Sequence, residues 1–221
     1  MKRTLTALFC TLCLVVSAAA ETPAPRRVAI VIDDGPVPDQ SAAFVQLFRE
    51  KQAPVTFSYI ASVLEKTPDA GRQAAAAGCE ILNHSYTHPH LTKLSAAELD
   101  HEIGDAQRVI QATLGRAPRF FWEPYGDSNA TVAATVKKYG LELAKVPHDI
   151  NTFDYDEATT GEQIFRNATT DVRDGTIIDF HEWREETLAQ MPAIIDELRR
   201  QGCVLMTLSE LVDALQNPKT K

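Results

Sequence analysis

The chain has 221 residues, 44% of them hydrophobic and 24% charged, which excludes a disordered or collagen-like polymer and fits a globular protein. Its formal charge of −8 makes a poor surface for polyanions, so neither a nucleic-acid nor an anionic-membrane partner is expected. No internal stretch reaches the ~18 apolar residues of a membrane span.

Residues 1–20 read as a secretory signal peptide. Lys2 and Arg3 form a positive start, Leu5 to Val16 an apolar stretch, and Ala18-Ala19-Ala20 a small-residue cleavage site before Glu21. Cys10 and Cys13 follow Phe9 and Leu12 rather than the small residue of a lipoprotein signal. The expectation is an exported protein, periplasmic or secreted, with no membrane insertion after leader cleavage. Residues 21–221 then form a single domain. Of the cysteines only Cys79 and Cys203 survive cleavage; each follows a Gly at the start of an apolar run, which suits either a pair of buried thiols or a disulfide.

From there short apolar runs alternate with helical patterns. Val28–Ile32, Val55–Ile60, Glu80–Asn83, Arg119–Trp122, Leu141–Val146, Thr176–Phe180 and Val204–Leu208 read as strands. Between and after them, helices are expected over Ser41–Lys51, a segment ending at Gly78, Ser95–Leu114, Asn129–Tyr139, Gly161–Val172, Glu185–Gln201 and near Leu211–Leu215. Ser95 with Glu98 three residues on is a capping box, and Gly140 and Gly202 are helix stops. Seven βα units imply a parallel sheet, closed as a barrel or doubly wound.

In such folds the C-terminal ends of the strands carry the chemistry. The first ends in Asp33-Asp34, the third in Asn83-His84-Ser85-Tyr86-Thr87-His88, the fourth in Trp122-Glu123-Pro124-Tyr125-Gly126. The fifth runs into His148-Asp149, Asn151, Asp154 and Tyr155, and the sixth ends in Asp179-Phe180-His181-Glu182. Two neutral imidazoles four residues apart plus one carboxylate make a three-ligand site for a divalent metal, most simply Zn²⁺, with room for water. The second carboxylate of the Asp-Asp pair is then free to act as a base. Ser85 lies between the two histidines and has no nucleophile-elbow context, so no covalent intermediate is implied.

These motifs resemble those of the polysaccharide deacetylases with a NodB-homology domain, carbohydrate esterase family 4, from about Val28 to Leu211. The resemblance implies a distorted (β/α) barrel of about seven parallel strands. It implies Asp33 as catalytic base, Asp34, His84 and His88 as metal ligands, the Tyr125 backbone N–H as oxyanion donor and His181 as general acid. The implied substrate is an acetylated glycan, most simply an N-acetylated exported or cell-envelope polysaccharide; the oligomeric state is left open. A non-catalytic glycan-binding or accessory protein on the same barrel, or an amidase or imidase for a small nitrogen compound, are the alternatives. The chain departs from the family pattern at Trp122, where an Arg is usual, at Glu123 for Pro, at Asn151 for Asp and at Tyr155 for Trp. Asp179 stands where an apolar residue is usual. Being two residues from His181 it should share that residue's face, where it supports His181 or serves as an interior carboxylate bonded elsewhere. His90, His101 and His148 read as loop or surface histidines, and Trp122 and Trp183 as core or sugar-stacking residues.

Overall fold

A computed structural model describes residues 25–144 and 146–217; the leader and its cleavage site lie outside the described residues. The described residues build an eight-stranded, all-parallel sheet. Its strands are β1 (Arg26–Gly35), β2 (Thr56–Tyr59), β3 (Glu80–Asn83), β4 (Phe120–Phe121), β5 (Glu142–Leu143), β6 (His148–Asn151), β7 (Thr176–His181) and β8 (Cys203–Met206). The order is β5-β4-β3-β2-β1-β7-β6, with β8 on β1. β8 pairs with the first half of β1 and β2 with the second, while β7 takes the other flank. Among the described residues no pairing joins β5 to β6, so the barrel they form is open along that side. The expected distorted (β/α) barrel is what the chain forms.

The helices are α1 (Pro38–Glu50), α2 (Ala61–Lys66), α3 (Pro68–Ala76), α4 (Ala96–Leu99), α5 (Ala106–Leu114), α6 (Ala130–Lys138), α7 (Gly161–Thr169), α8 (Glu185–Arg200) and α9 (Leu208–Gln216). The capping box of Ser95 and Glu98 is present, and Thr160 with Gln163 and Thr207 with Glu210 form two more. Two segments depart from the sequence reading. The helix expected over Ser95–Leu114 is interrupted by a π-helical stretch at Asp100–Asp105. His148–Asn151, read as a loop, is an additional strand. It lacks an apolar run because both its ends alternate between half-buried and exposed, and its backbone is organised by four successive partners on β7.

Strand parity decides what faces the site. On β1, Val28, Ile30 and Ile32 pack outward with Phe44 and Phe48 of α1 and Ile194 and Leu198 of α8. Ala29 and Val31 face inward, with Leu82, Phe120, Ile177 and the α9 residues Leu208, Leu211 and Val212. All of these side chains are buried, each stabilising the fold by roughly 1.5–3 kcal/mol for the larger ones. The next inward positions, one step beyond this plug, are Asp33 on β1 and Asp179 and His181 on β7; His84 follows Leu82 on β3 and Trp122 follows Phe120 on β4. The barrel thus has an apolar floor and a polar mouth, set by the period-2 pattern. No helix among the described residues is long and apolar enough to cross a membrane. Cys79 and Cys203 are both free and buried, which answers the open alternative in favour of thiols.

Candidate metal centre and active site

Among the described residues, four of the seven non-glycine residues with left-handed backbone lie at the mouth: Asp34 (φ 67°), Ser85 (φ 64°), His88 (φ 66°) and Tyr125 (φ 59°). Each such conformation costs on the order of 1 kcal/mol, and clustering of this kind is a mark of functional sites. The turn at Asp34 breaks the strand's alternation, so that consecutive carboxylates serve one cleft. Behind it, a Cβ on Gly35 would meet the buried Glu182 carboxylate and the Tyr59 ring, which favours glycine at this position.

The loop 84–88 is fixed by side chains that bind its backbone. The Asn83 side chain accepts from Ser85 N (3.0 Å) and the Ser85 hydroxyl from His88 N (2.9 Å). Glu102 accepts from Tyr86 N (3.0 Å), Thr87 N (2.8 Å) and the Thr87 hydroxyl (2.6 Å). Glu102 is buried and belongs to the π-helical stretch, a feature often found near functional sites. The result is four successive N–H groups satisfied and two imidazoles aimed inward.

Asp34, His84 and His88 offer ligand atoms within 4.8 Å of one another. Oδ1 of Asp34 is 3.3 Å from His88 Nε2 and 3.5 Å from His84 Nε2, and it has no hydrogen-bond partner of its own. His84 Nδ1 lies 2.7 Å from the Trp122 carbonyl, which requires the proton on Nδ1 and leaves the Nε2 lone pair facing Asp34. Burial and the neighbouring His84 push His88 down to about 4, so its ring is neutral and able to ligate. Asp34 is held below the usual carboxylate range: burial opposes this, but the neighbouring imidazoles of His84, His88 and His181 outweigh it. An unpartnered buried carboxylate oxygen between two imidazole nitrogens is the donor set of a divalent cation.

Asp33 and His181 stand on either side. Asp33 is 4% exposed; its Oδ2 accepts the Trp122 indole N–H at 2.7 Å and lies 3.8 Å from His84 Nε2. Burial, then the charges of Asp179 and Asp34, raise its pKa well above the usual carboxylate range. His181 Nδ1 is 2.8 Å from Asp154 Oδ1, and Asp154 also accepts from His181 N (2.8 Å) and the Thr187 hydroxyl (2.6 Å). Burial pulls the imidazole down, but the Asp154 bond and charge, with Asp179 and Asp34, raise it overall.

Of the two readings of Asp179, direct support of His181 or an interior carboxylate placed elsewhere, the geometry favours the second. Asp179 and His181 do share the inner face, but the imidazole's hydrogen-bonding partner is Asp154, which approaches from the loop after β6. Asp179 instead sits against Asp33, and burial pushes it up to about 6. In the sequence Asp154 stands only among the polar residues that follow the fifth apolar run, with no local signal that ties it to His181. Trp122 is not plain core either, since its N–H is spent on Asp33.

The cleft, about 970 Å³, is lined by all six expected site residues together with Trp122, Glu123, Asp149, Asn151, Tyr155, Asp179 and Trp183. Tyr125, Tyr155 and Trp183 are exposed aromatics at its mouth. Tyr125 stacks on His90 (4.3 Å) and meets His88 edge-on (4.5 Å), so His90 is a rim residue. His101 pairs with Asp105 outside the cleft, and His148 faces Asp171.

Residues 20–144 match the family described as polysaccharide deacetylase. The chain belongs to that family. It is similar to a bifunctional xylanase/deacetylase of Pseudobutyrivibrio xylanivorans, 26% identical over 89% of this chain and 32% of that protein. It is also similar to a chitooligosaccharide deacetylase of Azorhizobium caulinodans, 29% identical over 86% of this chain and 97% of that one. Among solved structures it resembles a family 4 carbohydrate esterase from Streptomyces lividans in complex with acetate. That likeness has a TM-score of 0.75 and 31% identity, covering 82% of this chain and 91% of the esterase. The chain thus spans about a third of the first relative and nearly all of the second.

Proposed function

We propose that the chain is a divalent-metal-dependent hydrolase, with Zn²⁺ the best-fitting ion, that removes N-acetyl groups from an exported or cell-envelope polysaccharide. The observation that carries this reading is the convergence of Asp34, His84 and His88 in one cleft, with Asp33 on one side and the His181–Asp154 pair on the other. The leader pattern of residues 1–20 supports export. The exposed aromatics at the mouth suit the apolar faces of sugar rings.

A divalent cation bound by Asp34, His84 and His88 would polarise the acetyl carbonyl and lower the pKa of a water toward ~7. Asp33 takes the proton of the attacking water; the proton affinity raised by its burial and by Asp179 and Asp34 suits it to hold that proton. The Tyr125 backbone N–H, presented by its left-handed conformation, donates to the oxyanion, a role worth roughly 3 kcal/mol per donor. His181, with Nδ1 tied to Asp154, presents Nε2 to the leaving amine and protonates it. Burial opposes it, but the Asp154 bond and charge raise the imidazole's hold on that proton.

The test is acetate release by the zinc-loaded chain from N-acetylglucosamine oligomers, peptidoglycan and acetylated xylan, measured before and after chelation. Release from at least one N-acetylated glycan, lost on chelation, is expected. No acetate from any glycan with one equivalent of zinc bound would sink the reading.

A further inference from the structure

We infer that the two tryptophans of this chain are positioning residues that divide the adjacent aspartates between two jobs: Trp183 orients Asp34 for the metal, and Trp122 orients Asp33 for the substrate water. The inference rests on the metal-hydrolase reading above and goes beyond it.

The chain has two tryptophans, and each gives its indole N–H to one member of the Asp33-Asp34 pair. Trp183 Nε1 lies 3.2 Å from Asp34 Oδ2. That is the oxygen turned away from the two ligand histidines, whose Nε2 atoms face Oδ1. The indole therefore occupies the one oxygen that the metal does not need and leaves the other aimed at the imidazoles. Trp122 Nε1 lies 2.7 Å from Asp33 Oδ2, and this fixes the plane of a carboxylate that sits 3.8 Å from the metal-facing nitrogen of His84.

The choice of residue has a physical consequence. An indole N–H is a donor only and carries no charge. It can fix a carboxylate's orientation without cancelling the negative charge that a ligand or a base requires, as a lysine or arginine in contact would do. The two indoles also reach the pair from opposite sides of the cleft, Trp122 from the end of β4 and Trp183 just beyond β7. Trp122 holds the metal side only through its main chain, by the carbonyl that accepts from His84 Nδ1, and a change of side chain leaves that contact in place.

Two phenylalanine variants separate these roles, because Phe keeps an aromatic ring and removes the N–H. Trp183→Phe is expected to weaken zinc affinity about 10–100-fold, the usual effect of losing a partner of a metal ligand. Trp122→Phe is expected to keep zinc affinity within about threefold and to lower kcat for an N-acetylated oligomer about 10–100-fold, with little change in KM, the scale of one hydrogen bond to a charged group. The ¹⁵N spectrum of the indoles supplies a readout that needs neither turnover nor a stable Trp variant. With two indole signals, Asp33→Ala should move that of Trp122 and leave that of Trp183 in place. Equal zinc affinities in the two Phe variants, a zinc-loaded Trp122→Phe with kcat within twofold of the parent, or a Trp122 signal indifferent to Asp33→Ala would each overturn the inference. Absence of acetate release from the parent chain would count against the proposed function alone, since zinc affinity and the indole signals still decide the positioning roles.

Discussion

Asp33 on β1 and His181 on β7 are direct partners across one ladder, yet they are held by opposite kinds of neighbour. Asp33 receives a neutral indole N–H and faces two further carboxylates, Asp34 and Asp179. His181 is gripped at ring and main chain by a single buried carboxylate, Asp154. Both environments favour holding a proton, by different means: burial and like charge at the aspartate, an opposite charge overcoming burial at the histidine. One strand spacing of about 4.8 Å therefore separates a carboxylate disposed to accept a proton from an imidazole disposed to keep one. That pairing is what amide hydrolysis needs, since the leaving amine must be protonated as the water is deprotonated.

The His181 side of this comparison breaks with Asp154→Asn. The amide keeps the shape and removes the charge that raises the imidazole. A general acid works only while protonated, so lowering its pKa moves the alkaline limb of the rate profile to lower pH. The rate on N-acetyl substrates at neutral pH should fall about 10–100-fold, and more than on O-acetyl esters, whose leaving group needs the proton less. Asp179→Asn, which leaves the Asp154 bond in place, should shift that limb less. A profile unmoved by Asp154→Asn would deny the pair its role.

A smaller effect sharpens the contrast beneath the site. Glu182 is fully buried, takes the Ser41 hydroxyl on one oxygen and leaves the other without a partner, and burial pushes it up to about 8. Its folded pKa lies above that of the unfolded chain, near 4.3. Its contribution to stability is thus complete below about pH 4, declines as pH rises, and is gone above about 8. Glu182→Gln should flatten that decline, giving a variant more stable than the parent by up to about 4 kcal/mol at pH 8 and nearly equal to it at pH 4. Denaturant unfolding at the two pH values measures this, and parallel pH profiles would rule out a titrating Glu182.

Much of the site was legible because its chemistry is local in sequence. Asp33-Asp34 and His84-x-x-x-His88 each sit at one strand end, and strand parity alone turns Asp33, His84 and His181 inward. The partners were harder to read because they are long-range. Trp122 reaches Asp33 across 89 residues, and Asp154 reaches His181 from a loop 27 residues away. Parity placed Asp179 on the right face, but two residues that share a face on one strand need not touch when a neighbouring loop supplies a closer carboxylate. The strand His148–Asn151 and the π-helical turn at Asp100–Asp105 left no apolar signature. The first is defined by pairing with β7, and the second carries Glu102 to the loop 84–88.

The division of labour between the adjacent aspartates is tested most directly by zinc titration of the chelated Asp33→Asn and Asp34→Asn variants beside the parent chain. The parent and Asp33→Asn should each bind one equivalent with closely similar affinity, while Asp34→Asn should bind at least about 100-fold more weakly. Zinc binding abolished in Asp33→Asn and retained at full strength in Asp34→Asn would contradict the assignment of Asp34 as ligand and Asp33 as base.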